Sequence, residues 1–221
     1  IAEMKTHESY HIGAMVSLHE LEHGPTHPLI RKAAGTIAST LIRRSGTVGG
    51  NLCLDTRCFW FNQTEDWRRS IDWCHKCDCD TNADCRVIPN QNTLCVATYQ
   101  GDLAPCMMVL GAKIHLAGPE GQRSLKLDEF YALDGMKRNV LELGEFVTHI
   151  TLPIESDELE GDYQKLRLRE SWDFPEAGVA ASWKRNDRGI EQLYVATTAC
   201  ESIPRLHMEE TSVALNEWNG K

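Results

Sequence analysis

Five cysteines fall within residues 58–85, "CFWFNQTEDWRRSIDWCHKCDCDTNADC", and Cys53 and Cys95 flank the stretch. With seven of its nine thiols crowded into residues 53–95, the chain must fold around them. A secreted disulfide scaffold is short and carries an even number of cysteines, whereas this chain has 221 residues and an odd count. Clustered thiols in a chain of this kind point instead to metal or redox chemistry. The segment is rich in Asp, Asn and Arg and poor in aliphatics, so it has little with which to build a core and needs a metal to hold it. Cys74-x2-Cys77 is the opening half of a zinc ribbon, but no second C-x2-C follows about 15–20 residues on. Ligation of an iron–sulfur cluster by four thiolates tolerates irregular spacing. Spacing alone leaves zinc and an iron–sulfur cluster open.

The length suits one large domain or two small ones. A net charge of −9 and a pI near 5.5 speak against a nucleic-acid partner, which requires a basic face. No apolar run approaches the roughly 18 residues of a membrane span, and no secretory leader pattern is present, so a cytoplasmic location is expected. The first residue is Ile1, so a preceding segment is expected.

Along the chain, residues 10–16 read as a strand. Ser17 and Glu20 form a capping box that opens the short helix "SLHELEH", which Gly24 and Pro25 end. Residues 27–44 have helical apolar spacing at Leu29, Ile30, Ala33, Ala34, Ile37 and Leu41. "SGTVGGN" reads as a glycine-rich turn. After the cysteine segment, "DLAPCMMVLGA" predicts a helix with Asp102 near its cap. "KIHLAG" and "QRSLKL" predict a hairpin, "LDEFYAL" a short helix, and "EFVTHITLP" a strand stopped by Pro153. The acidic "IESDELEGD" reads as a linker. It is followed by the strand "YQKLRLRE", by "AGVAASWK" and "EQLYVATTA" paired around "RNDRG", and by a helix over residues 207–218. Strands in hairpins with separate helices make an α+β fold.

Two local motifs carry little on their own. "HELEH" at His19–His23 has the H-E-x-x-H spacing of a zinc protease, but Gly24-Pro25 stops the helix at once and the capping box already explains Glu20. "GTVGGN" lacks both the G-x-G-x-x-G and the P-loop spacing, although its amides are available to a phosphate or a flavin edge.

In combination and in order, "TVGGNLCLDTRC … GDLAP … LGAKIHLAGPEGQR … LDEFY … LELGEFVTHITLP … YQKLRLRESWDFPEAGVAA" resembles the FAD-binding medium subunits of the xanthine oxidase family of molybdenum enzymes. The likeness runs over residues 10–199 and is nearest to the 4-hydroxybenzoyl-CoA reductase branch. Family members pass almost directly from the "GGN" turn to the Asp-x-x-Pro helix, whereas here Asn51 and Asp102 lie 51 positions apart. In that branch the insertion holds a [4Fe–4S] cluster. The resemblance places its ligands at Cys58, Cys74, Cys85 and Cys95, with Cys77 and Cys79 as rivals for the third place.

The same resemblance implies FAD against Thr47, Val48, Gly49, Gly50 and Asn51, with Asp102 as a hydrogen-bonding acid. It puts Val147 on the isoalloxazine ring and Lys165 beside the flavin; without it, these two read as a core valine and a solvated lysine. It implies a partial FAD-binding domain over residues 1–153 with residues 53–98 as the inserted cluster loop, and a small α+β C-terminal domain over residues 160–221. The family's N-terminal subdomain, with its pyrophosphate loop, is missing from this chain and the C-terminal domain reads as cut short, so a fragment or a decayed copy is expected. The implied role is an electron relay in a dimer of heterotrimers. The resemblance implies ferredoxin as the donor, with a [2Fe–2S] small subunit and a molybdopterin large subunit as partners. Phe59, Trp60, Phe61 and Trp73 are expected to shield the cluster, and Cys53, Cys106 and Cys200 to be structural. An aldehyde- or purine-type hydroxylase subunit and a zinc-stabilised interaction module are the alternatives.

Overall fold

The computed structural model describes residues 4–5, 9–77, 83–90, 94–187 and 189–217. In chain order the elements are β1 (Met4–Lys5), β2 (Ser9–Gly13), α1 (Leu18–His23), α2 (Pro28–Thr36), α3 (Thr40–Ser45), α4 (Val48–Leu52), α5 (Glu65–Ser70) and α6 (Leu103–Met108). They continue with β3 (Lys113–Gly118), β4 (Gly121–Lys126), β5 (Phe146–Pro153), β6 (Glu160–Leu166), β7 (Ala177–Asn186), β8 (Gly189–Thr198), β9 (Arg205–Leu206) and α7 (Met208–Glu217). Two antiparallel sheets result, ordered β1-β2-β5-β3-β4 and β6-β7-β8-β9. The α+β expectation holds.

Period-two alternation aims one face of the first sheet inward. Ile12, Ile114, Leu116, Ile150 and Leu152 are each no more than 2% exposed. The opposite face is polar, with His11, His149 and His115 stacked across three strands at ring separations of 5.3 and 4.1 Å. Every residue of α6 is buried, and it packs against α2, α4, β7 and β8. An all-apolar helix of this length is stable only as a core element. Among the described residues, no helix is long and apolar enough to cross a membrane.

Four local expectations are corrected. Residues 27–44 form two helices, because Ala38 adopts φ 45° and Ser39 caps α3. The carbonyls ending α2 go to cations instead: Thr36 O accepts from Lys165 (3.2 Å) and Arg167 (3.1 Å), and Ile37 O from Arg43 (2.8 Å). Leu41, counted in the apolar stripe, is 73% exposed. "TVGGNL" is the one-turn helix α4, whose N-cap Thr47 accepts from Gly50 N at 3.1 Å. β6 begins inside the acidic linker and stops at Leu166, and "LDEFYAL" shortens to a 3-10 turn over Leu127–Phe130.

α4 sits close against the end of β2, where Gly49 N donates to Ala14 O at 2.8 Å. A Cβ on Gly49 would lie 2.9 Å from Ala14 Cβ and 3.1 Å from Ala14 O. Gly49→Ala is therefore expected to destabilise the fold by about 1–3 kcal/mol, the usual cost of overpacking. Urea unfolding measures it, and a midpoint equal to wild type would contradict this packing.

Candidate functional site

The cysteine segment is closed at its base by paired backbone bonds, Arg57 N to Thr98 O (2.7 Å) and Thr98 N to Arg57 O (2.8 Å). Within it Cys58, Cys74, Cys85 and Cys95 line one small cavity together with Trp60 and Phe61. Each is brought there by a different local device. Cys58 N donates to Asn62 Oδ1 at 2.7 Å. α5, capped by Thr64, ends in a left-handed turn at Asp72 (φ 57°) and Trp73 (φ 62°), which delivers Cys74. A bulky residue at positive φ is strained and persists only where the surroundings hold it. Arg86 does so, donating to Trp73 O (3.0 Å) and Ile71 O, and thereby ties the approach to Cys74 to the neighbour of Cys85. Cys95 is fixed by its N–H to Asp134 Oδ1 (3.1 Å) and by Gly135 N and Ser202 Oγ on its carbonyl (2.8 and 3.0 Å).

The sulfurs themselves meet amides. Ile88 N donates to Cys85 Sγ and Ala97 N to Cys95 Sγ, both at 3.5 Å. Burial pushes the Cys74 and Cys95 thiols up, opposed at Cys74 first by the Lys76 amide and at Cys95 first by the Ala97 amide and then by the Lys76 charge. The described residues bring three metal-capable donors within 4.8 Å only at His19, Glu22 and His23, so no three of these sulfurs are that close. A tetrahedral zinc with Zn–S bonds of about 2.3 Å holds its sulfurs about 3.8 Å apart. Cys77 is half-buried and does not line the cavity, and Cys79 lies outside the described residues. Of the expected shield, Trp60 and Phe61 wall the cavity, Trp73 is half-buried and Phe59 is 70% exposed. Cys106 is fully buried, Cys53 half-buried and Cys200 exposed.

A second cavity, of about 220 Å³, opens at α4. Thr47, Gly50, Asn51 and Asp102 line it, and a Cβ on Gly50 would meet only Thr47 Oγ1. Val48 and Gly49 face the core behind them. Asn51 Oδ1 accepts from Leu103 N (3.2 Å), which orients the start of α6. Asp102 heads that helix without capping it. Its carboxylate instead meets Lys165 Nζ at 3.0 and 3.1 Å and accepts from Tyr163 OH at 2.7 Å. Both charged side chains are 3% exposed. Burial raises Asp102 and lowers Lys165, each opposed by the other's charge. Val147 is half-buried on β5 opposite Leu116 and does not line this cavity.

Residues 2–155 match the family model for the FAD-binding domain in molybdopterin dehydrogenase. The chain belongs to that family. It is 32% identical over 153 residues to the aldehyde oxidoreductase FAD-binding subunit PaoB of Escherichia coli K12, covering 65% of this chain and 46% of the relative. It is 27% identical over 188 residues to the nicotinate dehydrogenase FAD-subunit of Eubacterium barkeri, covering 81% and 48%. The chain thus spans about half the length of the curated relatives it matches. Its fold is that of a carbon monoxide dehydrogenase chain from Hydrogenophaga pseudoflava (TM-score 0.68, 19% identity, 96% of this chain and 59% of that one). A chain of quinoline 2-oxidoreductase from Pseudomonas putida 86 gives a TM-score of 0.64 at 18% identity, over 93% and 57%.

Within this family member, the wall of the α4 cavity includes residues to which the sequence reading assigns no role. Trp172 and Phe174, from "SWDFPE", face α4 across it, and the Arg57 guanidinium stacks on the Phe174 ring at 4.1 Å. Two aromatics flanking an acid in an otherwise polar stretch were the available signal. The H-E-x-x-H motif resolves into structure. Glu20 is engaged by Ser17 in the capping box, and Glu22 by Arg43 at 2.8 Å.

Removing one partner of a buried ion pair leaves an uncompensated charge, at about 3–5 kcal/mol. Lys165→Met is expected to cost that much at neutral pH. It also removes the chief influence holding Asp102 down, so Asp102 titrates higher still. A carboxyl with a raised folded pKa favours the fold below that value and loses the advantage above it. The Lys165→Met deficit must therefore shrink as pH falls and grow as pH rises. Denaturation across pH measures this, and the opposite slope would contradict it.

Proposed function

We propose that the chain is the flavo-iron–sulfur electron-transfer subunit of a molybdenum-containing oxidoreductase of the 4-hydroxybenzoyl-CoA reductase type. The observation that carries the proposal is the meeting of Cys58, Cys74, Cys85 and Cys95, spread over 38 positions, at one aromatic-walled cavity. The donor set fits a [4Fe–4S] cluster in its chemistry: four thiols line one cavity, and backbone amides are directed at two of them. The α4 cavity fits a flavin edge through the bare Cα of Gly50, an apolar wall and a buried acid at its rim; the amides of residues 48–51, expected to be available to a ligand, are instead bonded within the protein. The family model over residues 2–155 supports FAD as a cofactor of the chain.

When bound, the cluster exchanges single electrons and FAD one or two. This suits a relay from ferredoxin to a [2Fe–2S] small subunit and a molybdopterin large subunit, which would remove the phenolic hydroxyl of 4-hydroxybenzoyl-CoA as water. The proposed assembly is a cytoplasmic dimer of heterotrimers. The chain's own residues bind and tune. The thiolates hold the iron, and the Ile88 and Ala97 amides favour the charged sulfur. Trp60 and Phe61 exclude water. Thr47, Gly50 and Asn51 present the α4 surface, with Val48 and Gly49 anchoring it. Asp102 is the polar contact, held in place by Tyr163 and Lys165, whose cation also favours a reduced, anionic flavin. Val147 as a ring contact rests on the resemblance alone.

A second reading draws on the relatives, an aldehyde oxidoreductase and a nicotinate dehydrogenase FAD subunit. In it the subunit serves a hydroxylase and electrons leave through FAD. The inserted thiols are the feature that favours the reductase type.

Anaerobically isolated protein is expected to contain about four irons and four sulfides, with absorption that dithionite bleaches. Cys58→Ser and Cys74→Ser should lose the iron, and Cys77→Ser should keep it. A colourless protein holding zinc would reject the relay and leave the zinc-stabilised module.

A further inference from the structure

We propose that Lys76 is a charge-compensating residue of the cysteine cavity, a fixed cation that raises the midpoint potential of the four-iron centre. This rests on the cluster reading above. Lys76 lines the cavity and is 9% exposed, an unusual place for a lysine. Its ammonium has three donors and all three are used, on Asp55 Oδ1 (2.8 Å), Thr56 O (3.1 Å) and Thr56 Oγ1 (2.6 Å). It also lies 4.9 Å from the centroid of Phe61, a wall of the same cavity.

The clasp is linked to the cavity's cysteines at two places. Thr56 Oγ1 donates in turn to Gly135 O at 2.6 Å. Gly135 is packed so closely on Cys95 that a Cβ there would sit 2.9 Å from Sγ. On the other side Lys76 belongs to the turn between Cys74 and Cys77.

The local charge balance shows what such a cation is for. Asp55 is 46% exposed on its side chain and is shared with Arg138 at 3.7 Å, so two cations draw on one half-solvated carboxylate. Asp84 and Asp134 are turned to the backbone amides of Cys85 and Cys95. Lys76 has a carboxylate partner in Asp55, but that carboxylate is shared with Arg138, so beside four neutral thiols the buried charge is only part-compensated, which is costly. Four thiolates around an iron–sulfur core carry net negative charge, and reduction adds another electron. A cation held beside them stabilises the reduced form more than the oxidised one.

The test is an EPR-monitored redox titration of wild type, Lys76→Met, Lys76→Arg and Asp55→Asn, with iron and sulfide counted in each. Lys76→Met is expected to lower the midpoint, Lys76→Arg to restore most of it, and Asp55→Asn to raise it. A clasp that merely holds the loop would lower the melting temperature and the iron content without shifts of opposite sign. An iron-loaded Lys76→Met with the wild-type midpoint overturns the proposal. If Lys76→Met cannot hold iron, Asp55→Asn decides: an upward shift supports the proposal, and no shift overturns it. Wild type without iron refutes the cluster reading itself, and the role of Lys76 falls with it.

Discussion

Everything distinctive in this molecule hangs on the junction where the chain leaves α4 and comes back to start α6. Fifty-one positions separate Asn51 from Asp102, yet the Asn51 side chain bonds Leu103 N, and Tyr99 OH donates to Asn51 O at 3.0 Å. Tyr131 OH adds a bond to Leu52 O at 3.1 Å, and the two tyrosine rings pack 4.8 Å apart in the core. Closing a loop costs entropy that grows only slowly with its length, so a few buried bonds at the stem suffice to tether a long excursion. The stem ties both ends of the cysteine segment to α4 and α6, and Asn51 and Asp102 at those ends line the α4 cavity.

Both cavities are built on buried charge, which a protein keeps only where something compensates it. Beside α4 the Asp102–Lys165 pair is fully desolvated and completed by Tyr163, while Lys165 also takes the free carbonyl at the end of α2. One cation thus ends a helix, anchors the acid at the head of the next core helix and supports the cavity wall. In the cysteine segment Arg68 and Arg86 are spent on backbone carbonyls and Lys76 on Asp55 and Thr56, while Arg69 pairs with Glu65. Arg68 donates to Phe61 O and Gln63 O at 3.2 and 2.5 Å, while Arg86 grips the left-handed turn before Cys74. A segment with few aliphatics is held by guanidinium-to-carbonyl bonds where an ordinary domain would use a core.

What could be read in the sequence is what depends on near neighbours. The capping box at Ser17 and Glu20, the hairpins β3–β4 and β7–β8, the strand ending at Pro153 and the buried helix after Asp102 all follow from local periodicity and turn residues. The four thiols came from a likeness to relatives, and the structure brings those four to one cavity and leaves Cys77 outside it. What escaped depends on distant partners. The apolar stripe of residues 27–44 runs on past the point where the helix stops, because the stop is imposed by Arg43, Lys165 and Arg167. Two adjacent glycines argue for a turn at Gly49-Gly50, but Thr47 capping and contact with Ala14 close a helical one. Nothing in the sequence marks Lys76, and only the fold shows it buried with three oxygen partners.

Iron K-edge X-ray absorption on the anaerobically isolated protein, with the zinc edge recorded on the same sample, decides whether the four thiols hold a cluster. A thiolate-held cubane gives iron in a purely sulfur first shell with a second shell of iron neighbours, and that is the expected spectrum. Iron with nitrogen or oxygen ligands and no iron neighbour, or a sulfur shell around zinc alone, would contradict it.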